Sequence, residues 1–215
     1  MLQNRVDPQG NLIITPARGE WMGNRGQLHG EGKSILRPFR LKAWLICLLE
    51  FKERHRPVMS PNQYTELFFL DEATAFAAGH RPCFECRRRD YDLFKSSWLT
   101  GNPEYGFSNK TSIQHIDEVL HGERIDEAGR KQIYKAKYND LPEGVFIRVE
   151  EEPFLIADHK IHRWTPFGYE EGRAFSSADP VSVLTPRSTV NAFLNGYRPQ
   201  WHQKVNGIQG KDKNT

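Results

Sequence analysis

One stretch, residues 43–51 (AWLICLLEF), constrains the fold of this 215-residue chain more than any other. From 43 to 49 its apolar residues run without the polar gaps of an amphipathic helix and without the alternation of a half-buried strand. That pattern describes a central strand buried on both faces. The run is far short of the roughly 18 to 20 apolar residues that a membrane helix needs, and no longer one exists, so no membrane partner is expected. After the turn formers of residues 57–62, residues 64–70 (YTELFFL) offer a second strand, and the two are expected to pair as a hairpin.

The flanking segments are less regular. Residues 1–42 are rich in glycine and proline, broken by a short strand-like run at 12–15, and read as an irregular arm around the core. Asp71 is placed to cap an alanine-rich helix that Gly79 ends in a left-handed conformation. Residues 87–98 carry Tyr91, Phe94 and Trp98 at helical spacing. Further on, helices are expected over 112–120 and 126–138, then strands in VFIRV, FLIAD and KIHRW as an antiparallel meander, a strand within 176–184, and a helix over 188–194. The fold class is therefore α+β: one compact domain over 1–204, with a hairpin, a cysteine knuckle and a helix in 43–99, helices and a β meander in 112–200, and a disordered tail over 205–215. With 38% apolar and 27% charged residues, the chain is neither disordered nor of low complexity.

Chemistry concentrates in HRPCFEC, residues 80–86. The C-x-x-C pair Cys83 and Cys86 can turn both sulfurs toward one ion, which makes half of a tetrahedral site. Soft thiolates favour zinc, and a chain with three cysteines lacks the set for a four-cysteine iron–sulfur cluster. Zinc is thus the expected cofactor. The remaining ligands are to be sought in His80, in Cys47, or in a distant histidine such as His29, His55, His115 or His121. Cys47 reads first as a small core residue, because free cysteine is among the most buried residue types. The odd cysteine count and an N-terminus without a signal pattern point to a reducing, cytoplasmic setting.

The net charge of +3 excludes no partner class. Locally, however, Arg81, Arg87, Arg88 and Arg89 surround the cysteine pair, and they are the candidate nucleic-acid contacts.

Residues 67–88 resemble the second half of the metal-binding domain of the adaptive-response (Ada) DNA-repair methyltransferase family. The shared order is a strand ending in Phe68 and Phe69, an alanine-rich helix from Asp71 to Ala78, Gly79, His80, and then Arg81-Pro82-Cys83-x-x-Cys86-Arg87. The match covers about a tenth of the chain. In that family four cysteines bind zinc and one accepts a methyl group from a damaged DNA phosphate. The resemblance thus implies zinc at Cys83 and Cys86, and DNA rather than RNA as partner. The family's upstream cysteine pair is missing here, and Cys47 can replace one member at most.

Two other readings share the same cysteines. Pro82-Cys83-x-x-Cys86 is half of the nucleobase deaminase signature, and His29-Gly30-Glu31 supplies the letters of the other half, with His29 as ligand and Glu31 as acid and base. Alternatively, thiolates at a helix start among cations form a dithiol redox pair. No complete catalytic set can be assembled from the sequence, so catalytic residues stay unassigned and an enzyme is neither required nor excluded. Among the other polar clusters, His121, Glu123 and Arg124 read as the polar end of a helix. The aromatic residues Trp164, Phe167, Tyr169, Tyr197 and Trp201 read as packing residues.

Overall fold

Two six-stranded sheets share the chain, one in each half, with helices between and beside them, so the fold is α+β as expected. The computed structural model describes residues 1–53 and 57–203; the expected tail over 205–215 lies outside the described residues. The N-terminal sheet comprises β1 (Gln3–Val6), β2 (Leu12–Ile14), β3 (Trp21–Asn24), β4 (Leu45–Cys47), β5 (Leu67–Phe69) and β6 (Arg81–Pro82) in the order β2-β1-β5-β3-β4-β6. The β1/β5 and β4/β6 pairs are parallel and the rest antiparallel.

Two expectations are corrected here. Residues 1–42 are not an irregular arm, because β1, β2 and β3 are half of this sheet. Nor do β4 and β5 form a hairpin, since β3 lies between them and pairs with both. Gly23 in β3 makes that insertion sterically feasible: a Cβ there would fall 2.4 Å from the Phe69 ring, so only glycine lets the ring lie across the strand. The apolar run itself is a strand for three residues and then leaves the sheet, with Leu49 49% exposed.

Helix α1 (Glu72–Ala77) follows β5 and is buried at every residue. Asp71 accepts a hydrogen bond from the Thr74 amide at 2.8 Å, as its capping position predicts. Ala73, Ala75 and Ala77 have no side-chain bulk, so the helix packs closely against β3 and β5 on one side and against strand β8 (Phe146–Val149) on the other. The chain leaves α1 through Gly79 at φ +90°, with the His80 amide donating to Ala75 O. An alanine at 79 would adopt a strained backbone and place its Cβ 2.5 Å from Arg124 Cδ, on a side chain with no room to retreat. Gly79→Ala is expected to cost about 2 kcal/mol or more, read as a lower urea midpoint at unchanged slope.

Helices α2 (Arg88–Gly101) and α3 (Ile113–Arg124) precede the second sheet. That sheet contains β7 (Tyr134–Ala136), β8, β9 (Glu152–Ala157), β10 (Lys160–Thr165), β11 (Gly168–Tyr169) and β12 (Val181–Val183), antiparallel throughout in the order β11-β10-β9-β8-β12-β7. The expected meander is β8-β9-β10. The helix expected over 126–138 is absent: Asp126 and Arg130 close a turn with Gly129 at φ +75°, and Tyr134 to Ala136 then pairs with β12. The chain's last described helix is α4 (Arg187–Leu194). Phe76 of α1 meets Phe94, Phe193 and Tyr197 at ring separations of 5.2 to 5.5 Å, and this aromatic cluster joins α1, α2 and α4 in one core. Among the described residues no helix is long and apolar enough to cross a membrane.

Candidate metal centre

The parallel pairing of β4 with β6 creates the site. Ile46 stands opposite Pro82, and the Cys83 amide donates to Ile46 O at 2.9 Å, so Cys47 and Cys83 emerge side by side from the ends of two adjacent strands. The chain then turns back on itself, with the Arg87 amide donating to Cys83 O at 3.1 Å, and this brings Cys86 to the other two. The ligand atoms of Cys47, Cys83 and Cys86 all lie within 4.8 Å of one another. Sulfurs that share a tetrahedral zinc at about 2.3 Å sit about 3.8 Å apart, so the trio needs little adjustment to close on an ion. The group can hold a metal.

The surroundings favour a thiolate at Cys83, while the same contacts and burial raise Cys47 and Cys86. Backbone N–H groups of Glu85 and Cys86 point at the Cys83 sulfur, and that of Leu48 points at Cys86. Donation from Cys47, and then from Cys86, draws the Cys83 thiol far below its ordinary range, and the same contacts push Cys47 up. Three sulfurs thus compete for a shared set of protons, which a divalent cation would displace together.

Cys47 is consequently not an isolated core residue. It is buried, at 8% exposure, but the surface it is buried against is the other two sulfurs. His80 is the converse case. Three residues before Cys83, it faces the opposite side of the sheet, where its ring packs on Phe69 and Trp44 and its Nε2 accepts from Arg25 Nε at 3.1 Å. It does not join the sulfur group, and among the described residues no fourth cysteine, histidine or carboxylate does. His29 uses both ring nitrogens elsewhere, on Thr65 Oγ1 and Ser60 O, so the deaminase pattern that needs His29 beside the cysteines is not assembled. His115 packs against Phe107, and His121 lies against Arg124. His55 lies outside the described residues.

All three cysteines line a cleft of about 640 Å³. Its floor is one face of the N-terminal sheet, with Met22, Asn24, Glu66 and Phe68, and its wall includes Phe51 and Tyr64. The metal site thus borders a space large enough for a small ligand or an extruded group.

Two of the four expected phosphate-facing arginines are occupied internally. Arg81 makes a bidentate pair with Asp117 at 2.7 and 2.6 Å, with both side chains 4% exposed. Arg87 is bound by Glu72 and Asp90 and lies 4.0 Å over the Trp21 ring. Both buried guanidiniums meet carboxylates, which offsets the cost of taking their charge out of water. Arg88 and Arg89 are exposed, Arg88 with an ion pair to Asp92 and its guanidinium over the exposed Phe84 ring. Of the aromatic residues, Trp164, Tyr169 and Tyr197 are buried and donate to Thr74, Asp71 and Glu72, whereas Phe167 is 58% exposed and not a packing residue.

The sequence gives no sign of Arg25 and places Arg124 at the polar end of a helix, although both are among the largest fully buried side chains. No motif marks them, and Arg124 reads there as surface. Comparison with protein-family models, with curated proteins and with solved structures found no match to this chain.

Proposed function

We propose that the protein binds zinc through Cys47, Cys83 and Cys86, presents the fourth coordination position to the adjoining cleft, and acts there on modified nucleic acid, with DNA as partner. The observation that carries the reading is the convergence of three sulfurs on a cleft rather than within a closed core. Protein zinc sites with four protein ligands are structural, whereas three ligands and an open position mark a reactive centre. When bound, zinc would keep all three sulfurs deprotonated at neutral pH, and three thiolates around a divalent ion leave a net negative, electron-rich set.

Such sulfurs suit attack on an alkyl carbon. A thiolate would form the carbon–sulfur bond while the carbon–oxygen bond to a phosphate breaks, the electron pair leaving on the phosphate oxygen. Cys86 is the most accessible of the three and would receive the group. The resemblance to the Ada family points the same way, and the exposed Arg88 and Arg89, two and three residues after Cys86, are the side chains left to meet a phosphate backbone.

Cobalt substitution tests the coordination. One cobalt per chain is expected, with intense sulfur-to-metal absorption and a spectrum that changes when a small exogenous thiol is added. A spectrum indifferent to added thiol would mean a closed site, and a His55→Ala variant that opens it would identify the fourth ligand. The substrate is tested separately: zinc-loaded protein mixed with methyl-phosphotriester DNA should gain one methyl group on a cysteine, detected by peptide mass. Tight DNA binding should weaken with salt, by about one unit less of log–log slope in Arg88→Gln. No transfer, with DNA binding absent at low salt, would retire the nucleic-acid reading and leave the metal centre standing.

A further inference from the structure

The face of the N-terminal sheet opposite the cysteines carries a second cavity, of about 660 Å³, and its floor is cationic. Alternation along a strand puts residues three apart on opposite faces. Accordingly Trp44 faces this cavity while Cys47 faces the metal cleft. Arg25 follows β3 and Arg124 ends α3; both are 1% exposed, both line the cavity, and both guanidiniums lie 3.9 Å over the Trp44 ring. Lys131 joins them from the turn after α3.

The hydrogen-bond partners of these three cations are neutral. Arg25 donates to His80 Nε2 and to Gly10 O, and its Nη2 has no partner. Arg124 donates to Gly79 O and Lys42 O and contacts His121 Nδ1, and its Nε has no partner. Lys131 donates to Ala77 O. Among the described residues no carboxylate lies within ion-pair distance of any of them, in contrast to the buried Arg81 and Arg87 of the same chain. Carboxylates act on them only from beyond ion-pair distance: Asp7, whose oxygens are held by Asn11, on Arg25 and Lys131, and Asp117, held by Arg81, on Arg124. Burial, together with Arg25 and Arg124, pulls the Lys131 ammonium down to about 7.

Two buried guanidiniums and an ammonium without an ion-paired carboxylate are costly in any protein unless an anion completes them. We infer that this cavity is an anion-binding site for a small phosphomonoester carrying a flat or apolar body, of the size and chemistry of a nucleoside monophosphate. Three cations match a phosphate dianion better than a single carboxylate, and guanidinium forks suit its oxygens. Phe39, Leu36 and Ile35 form an apolar wall above the charged floor, with the Phe39 and Trp44 rings 5.9 Å apart, and the exposed Arg37 stands at the mouth. A polynucleotide backbone is disfavoured because Arg25 and Arg124 lie at the bottom of the cavity and are nearly inaccessible from the surface. The inference is independent of the metal centre.

The test uses full-length zinc-loaded protein at low, matched ionic strength, with calorimetry and thermal unfolding as readouts. The probes are four nucleoside monophosphates, inorganic phosphate, the corresponding nucleosides and a single-stranded oligonucleotide. At least one monophosphate should bind and raise Tm, inorganic phosphate should bind more weakly, and nucleosides should do neither. Arg25→Met and Lys131→Met should each weaken the monophosphate at least tenfold while leaving the ligand-free protein as stable as before or more so, because each removes a cation that no carboxylate pairs. Phe39→Ala, at the rim, should weaken the monophosphate but not inorganic phosphate. The proposal fails if no monophosphate binds at millimolar concentration, if binding survives both methionine variants, or if the oligonucleotide binds and displaces the monophosphate more tightly than the monophosphate itself binds.

Discussion

Replacing Cys47 with alanine is expected to abolish the proposed zinc binding while leaving the sheet intact. Were Cys47 a packing residue, the change would remove one sulfur from a strand and cost about 1 kcal/mol, with zinc retained on Cys83 and Cys86. The geometry predicts the opposite ranking of effects. With its sulfur within 4.8 Å of two others, Cys47 would supply a third of the proposed ligand set. Its loss should weaken zinc on the order of 100-fold or more, since even changes behind the ligands cost 10- to 100-fold. Through linkage, a hundredfold weaker ligand lowers native stability by about 2.7 kcal/mol wherever free zinc greatly exceeds its dissociation constant. Zinc content after gel filtration and urea midpoints with and without a chelator separate the two cases: the variant should resemble chelated wild-type protein and show no further response to chelator. A Cys47→Ala protein that kept one zinc per chain would reduce the centre to the C-x-x-C pair.

The same linkage fixes the sign with pH. Protons and zinc compete for the sulfurs, so zinc affinity should fall as pH falls, and up to two protons, from Cys47 and Cys86, should be released when zinc binds at neutral pH. Zinc titrations in buffers of different ionisation enthalpy measure that release directly. Release of none would mean that the sulfurs are not the ligands.

The sequence reveals the half of the site whose residues are adjacent and conceals the half built by sheet pairing. Cys83 and Cys86 are visible because two intervening residues make a turn. Cys47 is recruited only because β4 lies parallel to β6, a pairing between segments 36 residues apart that no periodicity records. A similar limit hid β1 and β3. Four-residue strands among glycines look like coil, and Gly23, which reads as a breaker, is there to admit Phe69. Local signals did succeed at α1, where Asp71 and Gly79 act through neighbours in sequence. The meander succeeded because its strands are joined by tight turns.

The arginines expose a second limit. Sequence counts charge but not the partner that holds it. Arg81 finds Asp117, 36 residues on, and Arg25 finds His80, 55 residues on, so a cluster that reads as one basic surface divides into inward pairs, an exposed remainder and, elsewhere, a buried unpaired group.

That inward pairing yields the second large effect, at Glu72. Its carboxylate is 1% exposed and serves three segments: Oε1 receives Arg87 Nη2 at 2.7 Å and the Tyr197 hydroxyl at 2.6 Å, and Oε2 receives the Gln200 amide at 2.9 Å. Glu72→Ala leaves the Arg87 guanidinium, also 1% exposed, with Asp90 as its remaining carboxylate, and strands the buried Tyr197 hydroxyl and the part-buried Gln200 amide. Breaking a buried pair by deleting one member costs about 3–5 kcal/mol, more than most single changes. Glu72→Gln keeps an acceptor oxygen for one or two donors and should cost about 2 kcal/mol. Arg87 directly follows Cys86, and its amide closes the cysteine turn on Cys83 O. Loosening Arg87 should therefore weaken zinc by about tenfold, as changes behind metal ligands do. A stability loss with unchanged zinc affinity would show that the turn holds itself; a loss of both would make Glu72 the buried anchor of the metal centre.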